Sequence, residues 1–318
     1  MGRYILSRTV QSVVLLVFVS MLTFALIHAA PGGPGVLLAP GMTGAQINEA
    51  QRALGLDDPI PVQYLRWLSN LLHGNLGKSY GQGLPVSQVV ISRIPLTLEL
   101  VVTGMLLSVV FGVLIGVVSA VRRYSIVDHL ATGLTFFGMS VPVFWLGLML
   151  IILFSIDWHL LPSSGAVTLG AAATLIDRLK HLVLPAVVLA TANLAQIARY
   201  TRSSMIEVLN ADFLRVARAK GLRERAVIYR HGLRNALVPV VTVVALGVPR
   251  LVGGVAITES VFAWPGMGQL AVDSALQRDY PVIMGITLMV SILVILTNFL
   301  TDLSYVFLDP RVKLTGTR

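Results

Sequence analysis

The side chains that could carry covalent chemistry fall into no catalytic pattern in this sequence. The chain has no cysteine, which excludes disulfides, thiolate zinc sites and cysteine nucleophiles. Its six histidines are scattered, and it has no His-Glu-x-x-His pair, no Gly-x-Ser-x-Gly turn and no carboxylate pair with a supporting base. Gly77-Lys78-Ser79 looks like the end of a nucleotide-binding loop, but that motif needs a glycine where Leu72 stands. We therefore expect no enzyme activity, no metal site and no nucleotide bound by this chain.

The functional feature that the sequence does show is a concentration of positively charged side chains between residues 199 and 234. Nine basic residues stand there against three acids. The basic residues are Arg199, Arg202, Arg215, Arg218, Lys220, Arg223, Arg225, Arg230 and Arg234. An arginine at the centre of a bilayer costs roughly 2.5 to 3.5 kcal/mol, so the stretch must lie in water, and we expect it on the cytoplasmic face. Charge alone leaves two interpretations open: a docking surface for a partner protein, or a solvated loop that only sets the orientation of the chain.

Local spacing favours the docking surface. Apolar residues at steps of three and four predict an amphipathic helix, and Gly221 predicts the break after which a basic second helix turns away. Small side chains let a short helix enter a cleft on another protein, while flanking arginines fix its orientation. The apolar positions are Ile206, Leu209, Phe213, Val216 and Ala217.

Composition places most of the remaining chain in a membrane. Of 318 residues 55% are hydrophobic and 12% charged, and the mean hydropathy is +0.81. Apolar runs predict six spans, at 10–30, 98–121, 128–156, 181–198, 236–257 and 281–300. Run 10–30 follows a basic start, as in a signal peptide, but exceeds the 7 to 15 residues or so of such a core. The net charge of +9 divides unequally between the two sides of these spans, which indicates topology and not a nucleic-acid surface.

Two features inside the predicted spans mark candidate pathway residues. The third span contains Ser140, Pro142 and Phe144, and its proline must bend the helix. A bent span often borders a cavity, and a kinked helix that faces lipid is the alternative. The fifth span contains Arg250, which either faces the bundle interior, where it could meet a substrate carboxylate, or pairs with an acid or extends to the interface.

The segment 259–268 follows the fifth span and combines an acid, aromatic residues and Pro and Gly turns. This pattern predicts a short re-entrant element at the outer face, whose candidate gate residues are Glu259, Phe262 and Trp264. An interfacial loop anchored by its aromatic side chains is the alternative.

Several of these motifs resemble one family. Residues 217–222 and 231–239 resemble the cytoplasmic coupling loop of binding-protein-dependent ABC importer permeases, in the variant of the dipeptide/oligopeptide branch. Ala217 and Gly221 match the family pattern, Arg215 replaces its Glu, and Arg234 stands at an expected Pro. The outer stretch from residue 55 to 100 and segment 259–268 are also similar to these permeases.

The resemblance implies an all-α integral membrane protein with six transmembrane helices and the type I ABC importer permease fold. Its parts would be 1–30 (amino-terminal end and first span), 31–97 (outer segment with short helices), 98–309 (permease core, with coupling loop 205–235) and 310–318 (cytoplasmic tail). Contacts with the ATPase would come from Phe213, Arg215, Val216, Ala217, Arg218, Ala219, Lys220, Gly221 and Leu222. The chain would sit in a bacterial inner membrane with both termini in the cytoplasm.

The partners that the resemblance implies are a second homologous permease subunit, two ABC ATPase subunits that hold ATP and Mg, and an extracytoplasmic substrate-binding protein. Membrane lipid surrounds such a chain, and the expected substrate is a peptide. Nickel chelates and glutathione are alternative substrates, because similar permeases carry them. An ion-coupled carrier would place several ionisable residues at mid-membrane, and only Arg250 qualifies. An intramembrane hydrolase would need a nucleophile with a base.

Overall fold

The computed structural model describes residues 2–30, 43–170, 172 and 174–308, and within these ranges the side chain of Arg250 is not described. The described chain is helical. Its α-helices are α1 (Gly2–Ala29), α2 (Gly44–Ala53), α3 (Ile60–Leu72), α4 (Val86–Ile91), α5 (Ile94–Val121), α6 (Ile126–Ser140), α7 (Val143–Leu150), α8 (Leu175–Leu209), α9 (Asp212–Ala219), α10 (Leu233–Val261), α11 (Met267–Gln277) and α12 (Tyr280–Leu308). Two π-helical segments, π1 (Ile151–Asp157) and π2 (Ala226–Gly232), extend α7 and precede α10.

The described residues form two compact units. The first unit takes the residues up to Thr97 together with Pro265–Leu296, and the second takes Leu98–Trp264 together with the residues from Thr297 onward. Helices α5 and α12 each begin in the first unit and continue into the second.

Five helical stretches of the described chain are long and apolar enough to cross a membrane. Helix α6 and the stretch Val143–Asp157, which is α7 with π1, add a sixth crossing if they form one span, but the chain bends by 108° between them. The bend lies at Val141 and Pro142, where the sequence predicts it, because a proline cannot donate the next helical hydrogen bond. The fold class expected from the sequence is confirmed.

Helix boundaries differ from the sequence prediction on both sides of the fourth span. Helix α8 begins six residues before the predicted start at His181, because the Thr174 hydroxyl caps it by accepting from the Asp177 backbone N–H at 3.2 Å. Ile206 and Leu209 belong to the end of α8 and not to the amphipathic helix that carries Phe213. The separation has a local cause: the Asn210 side chain donates to the Ile206 carbonyl at 2.9 Å and ends α8.

In the first unit, the predicted outer helices appear as α2 and α3, with the turn at Gly55 between them. Apolar residues of α4, α11 and α12 form the core, around Val86, Val90, Met267 and Ile286.

A buried polar group of the first unit is the carboxylate of Asp279, which is 4% exposed. It accepts from the Ser79 hydroxyl at 2.5 Å and from the backbone N–H groups of Tyr80 and Gly81 at 3.1 Å. The Gly77-Lys78-Ser79 stretch therefore forms part of a turn that the α11–α12 corner holds in place.

In the second unit, small residues at every fourth position of α5 bring this helix against α8. An added Cβ at Gly112 or Gly116 would lie within 3.0 Å of an α8 backbone carbonyl. One turn before Gly112, Ser108 donates to the Ala190 carbonyl of α8 at 2.9 Å. The small-x-x-x-small pair at Gly112 and Gly116 is thus used for packing within the chain.

Candidate functional site

The basic stretch of the sequence folds into a short helix held by its apolar side. Helix α9 buries Leu214 and Ala217 against Val227 of π2 and against the partly buried Val208 and Leu209 at the end of α8. Buried apolar area of this kind stabilises a two-turn helix that would not persist alone in water. Helix α9 is therefore a docked element of the second unit.

The opposite side of α9 is both apolar and charged. Phe213, Val216 and Leu222 are 46%, 54% and 42% exposed. Arg215 pairs with Asp212 at 3.1 Å, and Arg218 pairs with Glu224 at 3.1 Å. Ala219 and Lys220 are exposed at its end. Of the nine predicted coupling residues, Ala217 alone points inward, so the other eight form one outward surface, which we call the α9 face.

Helix α9 ends in a hydrogen-bonded turn that requires a glycine. Gly221 has φ +77°, its N–H donates to the Arg218 carbonyl at 2.9 Å, and the Leu222 N–H donates to the Ala217 carbonyl at 3.4 Å. This pair of bonds is the Schellman arrangement, in which the residue after the cap takes the left-handed conformation. Nothing lies within 4 Å of the position of a Cβ at Gly221, so the requirement comes from backbone conformation alone.

Helix α9 is joined to the spans before and after it. Segment π2 continues into α10 without a break at Gly232, where an added Cβ would lie 3.3 Å from the Val227 carbonyl and 3.6 Å from Leu214. Met205, which is fully buried near the end of α8, contacts the same region. A displacement of α9 therefore acts directly on the ends of α8 and α10.

The candidate residues of the bent span lie at its corner. Ser140 ends α6 and donates to the Phe136 carbonyl at 2.9 Å, Pro142 precedes the first residue of α7, and Phe144 is 52% exposed.

The candidate gate residues at the end of α10 are buried, with Glu259 and Trp264 at 0% and Phe262 at 2% exposure. The structure brings Phe262 onto Leu184 and Val188 of α8 and onto Val143 at the start of α7. Segment 259–264 is therefore packed into the second unit, against the half of the bent span that follows Pro142. The Arg250 side chain lies outside the described part of the chain, so its role stays a prediction.

A polar cluster that the sequence did not single out ties α5, α6 and α8 together. Asp128 is 3% exposed and accepts from Nε and Nη2 of Arg202, each at 2.8 Å, from the Ser119 hydroxyl, and from the Tyr124 N–H at 2.9 Å. The two ionic partners stand 74 residues apart. The sequence did contain a signal for this cluster: Asp128 stands at the start of a predicted span, and a carboxylate in that position needs a cationic partner.

Residues 112–314 match the family model described as "Binding-protein-dependent transport system inner membrane component", and residues 1–101 match the model of its amino-terminal part. The chain is 44% identical over 315 residues to the oligopeptide transport system permease protein AppB of Bacillus subtilis (strain 168), covering 98% of this chain and 100% of the relative. It is 41% identical over 336 residues to the dipeptide transport system permease protein DppB of Escherichia coli (strain K12), covering 98% and 99%.

Solved structures show the same fold at low sequence identity. An inward-facing structure of the MetNI methionine ABC transporter gives a TM-score of 0.55 at 20% identity, covering 70% of this chain and 97% of that chain. An amino acid ABC transporter crystallised with histidines gives 0.52 at 15% identity, covering 69% and 93%. With the fold, the family models and these relatives in agreement, the chain belongs to the family of inner-membrane components of binding-protein-dependent transport systems and is a transport permease, not a catalytic subunit.

Proposed function

We propose that this chain is the permease subunit of an ATP-driven importer of dipeptides or oligopeptides. The observation that carries the proposal is the α9 face, which exposes Phe213 and Val216 beside paired arginines on a helix packed against both neighbouring spans. Such a surface fits a cleft on a separate ATPase. The peptide substrate is proposed from the two relatives, whose names record oligopeptide and dipeptide transport.

The family supports an assembly with ATPase subunits and a binding protein, and we propose its composition as follows. Two ATPase subunits engage the α9 face and its counterpart on a second, homologous permease subunit, and an extracytoplasmic binding protein delivers the peptide. Lys and Arg are concentrated beside α9, and the rule that positive residues stay inside supports our proposal that α9 and both termini lie in the cytoplasm. With the amino terminus inside, we expect the chain that follows the first span, which contains α2 and α3, on the outer side.

The proposed coupling is mechanical. Closure of the ATPase subunits displaces α9, and because α9 contacts the end of α8 and runs through π2 into α10, both spans move with it. The ATPase must contact α9 differently in its two states, since only differential interactions shift a conformational equilibrium. For the substrate pathway, we propose that the corner between α6 and α7, with Ser140, Pro142 and Phe144, moves during transport. We propose that segment 259–264 opens as the gate, held when closed by Glu259, Phe262 and Trp264. Arg250 lies on α10, between this gate and α9.

The proposal is tested by reconstituting the full complex in liposomes and measuring ATP-dependent uptake of a labelled dipeptide and a labelled oligopeptide. Val216→Asp puts a charge on the α9 face, and we expect loss of ATPase binding and of uptake. Leu169→Asp is the matched control, because Leu169 is 95% exposed in the loop before α8. Retained ATPase binding in Val216→Asp would refute docking at α9, whereas uptake of neither peptide by the unmodified complex would refute the substrate.

A further inference from the structure

A cavity of about 360 Å³ lies between α5, α6 and α8, away from the α9 face. Its polar lining consists of Arg199, Arg202 and Ser203 from α8 with Thr132 and Thr135 from α6. Ser119, two residues before the end of α5, also lines it. At 1.5 Å per residue, the cavity begins about 3 Å from the end of that helix, which places it at the level where a span meets the membrane surface.

The cavity has an excess of positive charge and uncommitted hydrogen-bond donors. Asp128 neutralises Arg202 through Nε and Nη2, and within the described residues Nη1 of Arg202 makes no hydrogen bond. Arg199 contacts the Tyr200 ring at 5.6 Å and has no carboxylate within ion-pair distance in the described part of the chain. The lining therefore carries one uncompensated cation, and a bound anion would complete its hydrogen bonding.

The remaining lining is apolar, and the outer edge of the cavity is exposed in this chain. Phe136 and Met139, on α6, are 59% and 47% exposed at the edge of the cavity. A second, almost wholly apolar groove of about 380 Å³ runs between α5 and α6 and shares Ile115 and Ala131 with the cavity. A ligand that satisfies both surfaces has an anionic group joined to a long apolar body.

We propose that this cavity binds the headgroup of an anionic phospholipid, with its phosphate between the guanidinium groups of Arg199 and Arg202 and its acyl chains along Phe136 and Met139. Basic pockets between transmembrane helices are suited to such headgroups, because the arginines supply charge and directed donors at the depth of the phosphate. The bound lipid would contact the three helices that Asp128 joins, on the same side of the membrane as α9.

Lipid retention by the purified complex is the first test. The complex is transferred from detergent into nanodiscs of phosphatidylcholine containing a small fraction of phosphatidylglycerol, and the phosphatidylglycerol that remains bound after delipidation is counted by native mass spectrometry. We expect Arg199→Gln to weaken retention about fivefold, the effect of one basic residue near a membrane surface. Arg123→Gln is the control, because Arg123 is exposed near the same surface, stacks over Tyr124 at 4.5 Å and does not line the cavity. Equal retention in the two variants would overturn the proposal.

The occupant is identified by a photo-crosslinking residue placed at Met139 in the complete transporter. We expect adducts with the mass of phosphatidylglycerol that are suppressed by Arg199→Gln and are not displaced by dipeptide or by inorganic phosphate. Adducts with peptide, with the second permease subunit, or with phosphatidylcholine in equal amount would each overturn the proposal. The readout does not depend on transport, so it stands apart from the test of the importer function.

Discussion

Replacing Gly221 tests whether the end of α9 must keep its left-handed turn. An L-residue in that conformation costs about 1 to 2 kcal/mol, and a β-branched residue is at the upper end. Because a Cβ at this position meets nothing within 4 Å, no packing change adds to the cost. In the free permease, Gly221→Val relieves the strain by unwinding the last turn of α9. Binding of the ATPase then requires this turn to re-form, and the cost of re-forming it reduces the binding free energy. We expect ATPase affinity to fall about 5- to 30-fold.

The assay is binding of the purified ATPase subunit to the permease assembly in nanodiscs, followed by peptide uptake by the reconstituted complex. Gly221→Asn should bind almost normally, because asparagine tolerates the left-handed conformation. Gly74→Val is the matched control: Gly74 also has a positive φ, +78°, with nothing within 4 Å of a Cβ, but it lies in the first unit, whereas α9 belongs to the second. It should carry the same local strain and leave ATPase binding unchanged.

Two results would refute this reasoning. If Asn and Val at position 221 weaken binding equally, the side chain itself matters, and the backbone conformation does not. If Gly221→Val binds normally but the complex does not transport, the turn acts after docking.

Three further predictions concern stability and titration. Gly116→Ala should lower the free energy of unfolding by about 1 to 3 kcal/mol, because its Cβ would lie 2.6 Å from a backbone carbonyl of α8. Gly133→Ala is the control and should be neutral or slightly stabilising, because nothing lies within 4 Å of its Cβ. Thermal unfolding of the purified chain measures both. Asp128→Asn should cost about 2 kcal/mol, less than for a fully buried pair because Arg202 is about one-third exposed, and the same unfolding assay applies. Burial and the nearby Asp279 carboxylate raise the pKa of Tyr80 to about 12. A difference absorbance titration against Tyr80→Phe should therefore show this phenol ionising near pH 12. The stability linked to its protonation is intact below pH 10 and lost as the pH rises through 12.

Each of these has a result that contradicts it. Rescue of Gly116→Ala by trimming Thr201 would show that a side chain, and not the α8 backbone, sets the distance between the helices. The double variant Asp128→Asn/Arg202→Gln should be more stable than the sum of its parts, since no uncompensated charge remains, and strict additivity would argue against the ion pair. A Tyr80 phenol that titrates near pH 10 would mean that the ring is solvated.

The parts of the fold that sequence predicts are those whose signals are local. Helices α2 and α3, the bend at Pro142 and the glycine turn at Gly221 each follow from a few neighbouring residues, by periodicity, a missing donor or a positive φ. The start of α8 also had a local signal, the Thr174 cap three residues before Asp177, which hydropathy alone passes over.

What the sequence could not supply are contacts between distant segments. Nothing near Asp128 indicates that its partner is Arg202 on α8, and nothing near Ser79 indicates Asp279, some 200 residues later. The surroundings of Phe262 are of the same kind, because its neighbours Leu184 and Val143 come from two other helices. Such contacts depend on how helices cross, and helix crossing is encoded by many small residues at once.

The contacts of α8 determine how a movement of α9 can travel. At one end α8 contacts α9 through Leu209. Along its length it packs so closely on α5 that a Cβ added at Gly112 or Gly116 would lie within 3.0 Å of an α8 backbone carbonyl, and farther along its residues Leu184 and Val188 contact Phe262. Packing this close leaves little room for bending or sliding, since interiors respond to strain by shifting as units. A push on α9 should therefore move α8 and α5 together and reach the segment at Phe262 as a rigid displacement. We expect the hinge of this movement at the corner around Pro142, because the helical hydrogen bonds are already interrupted there.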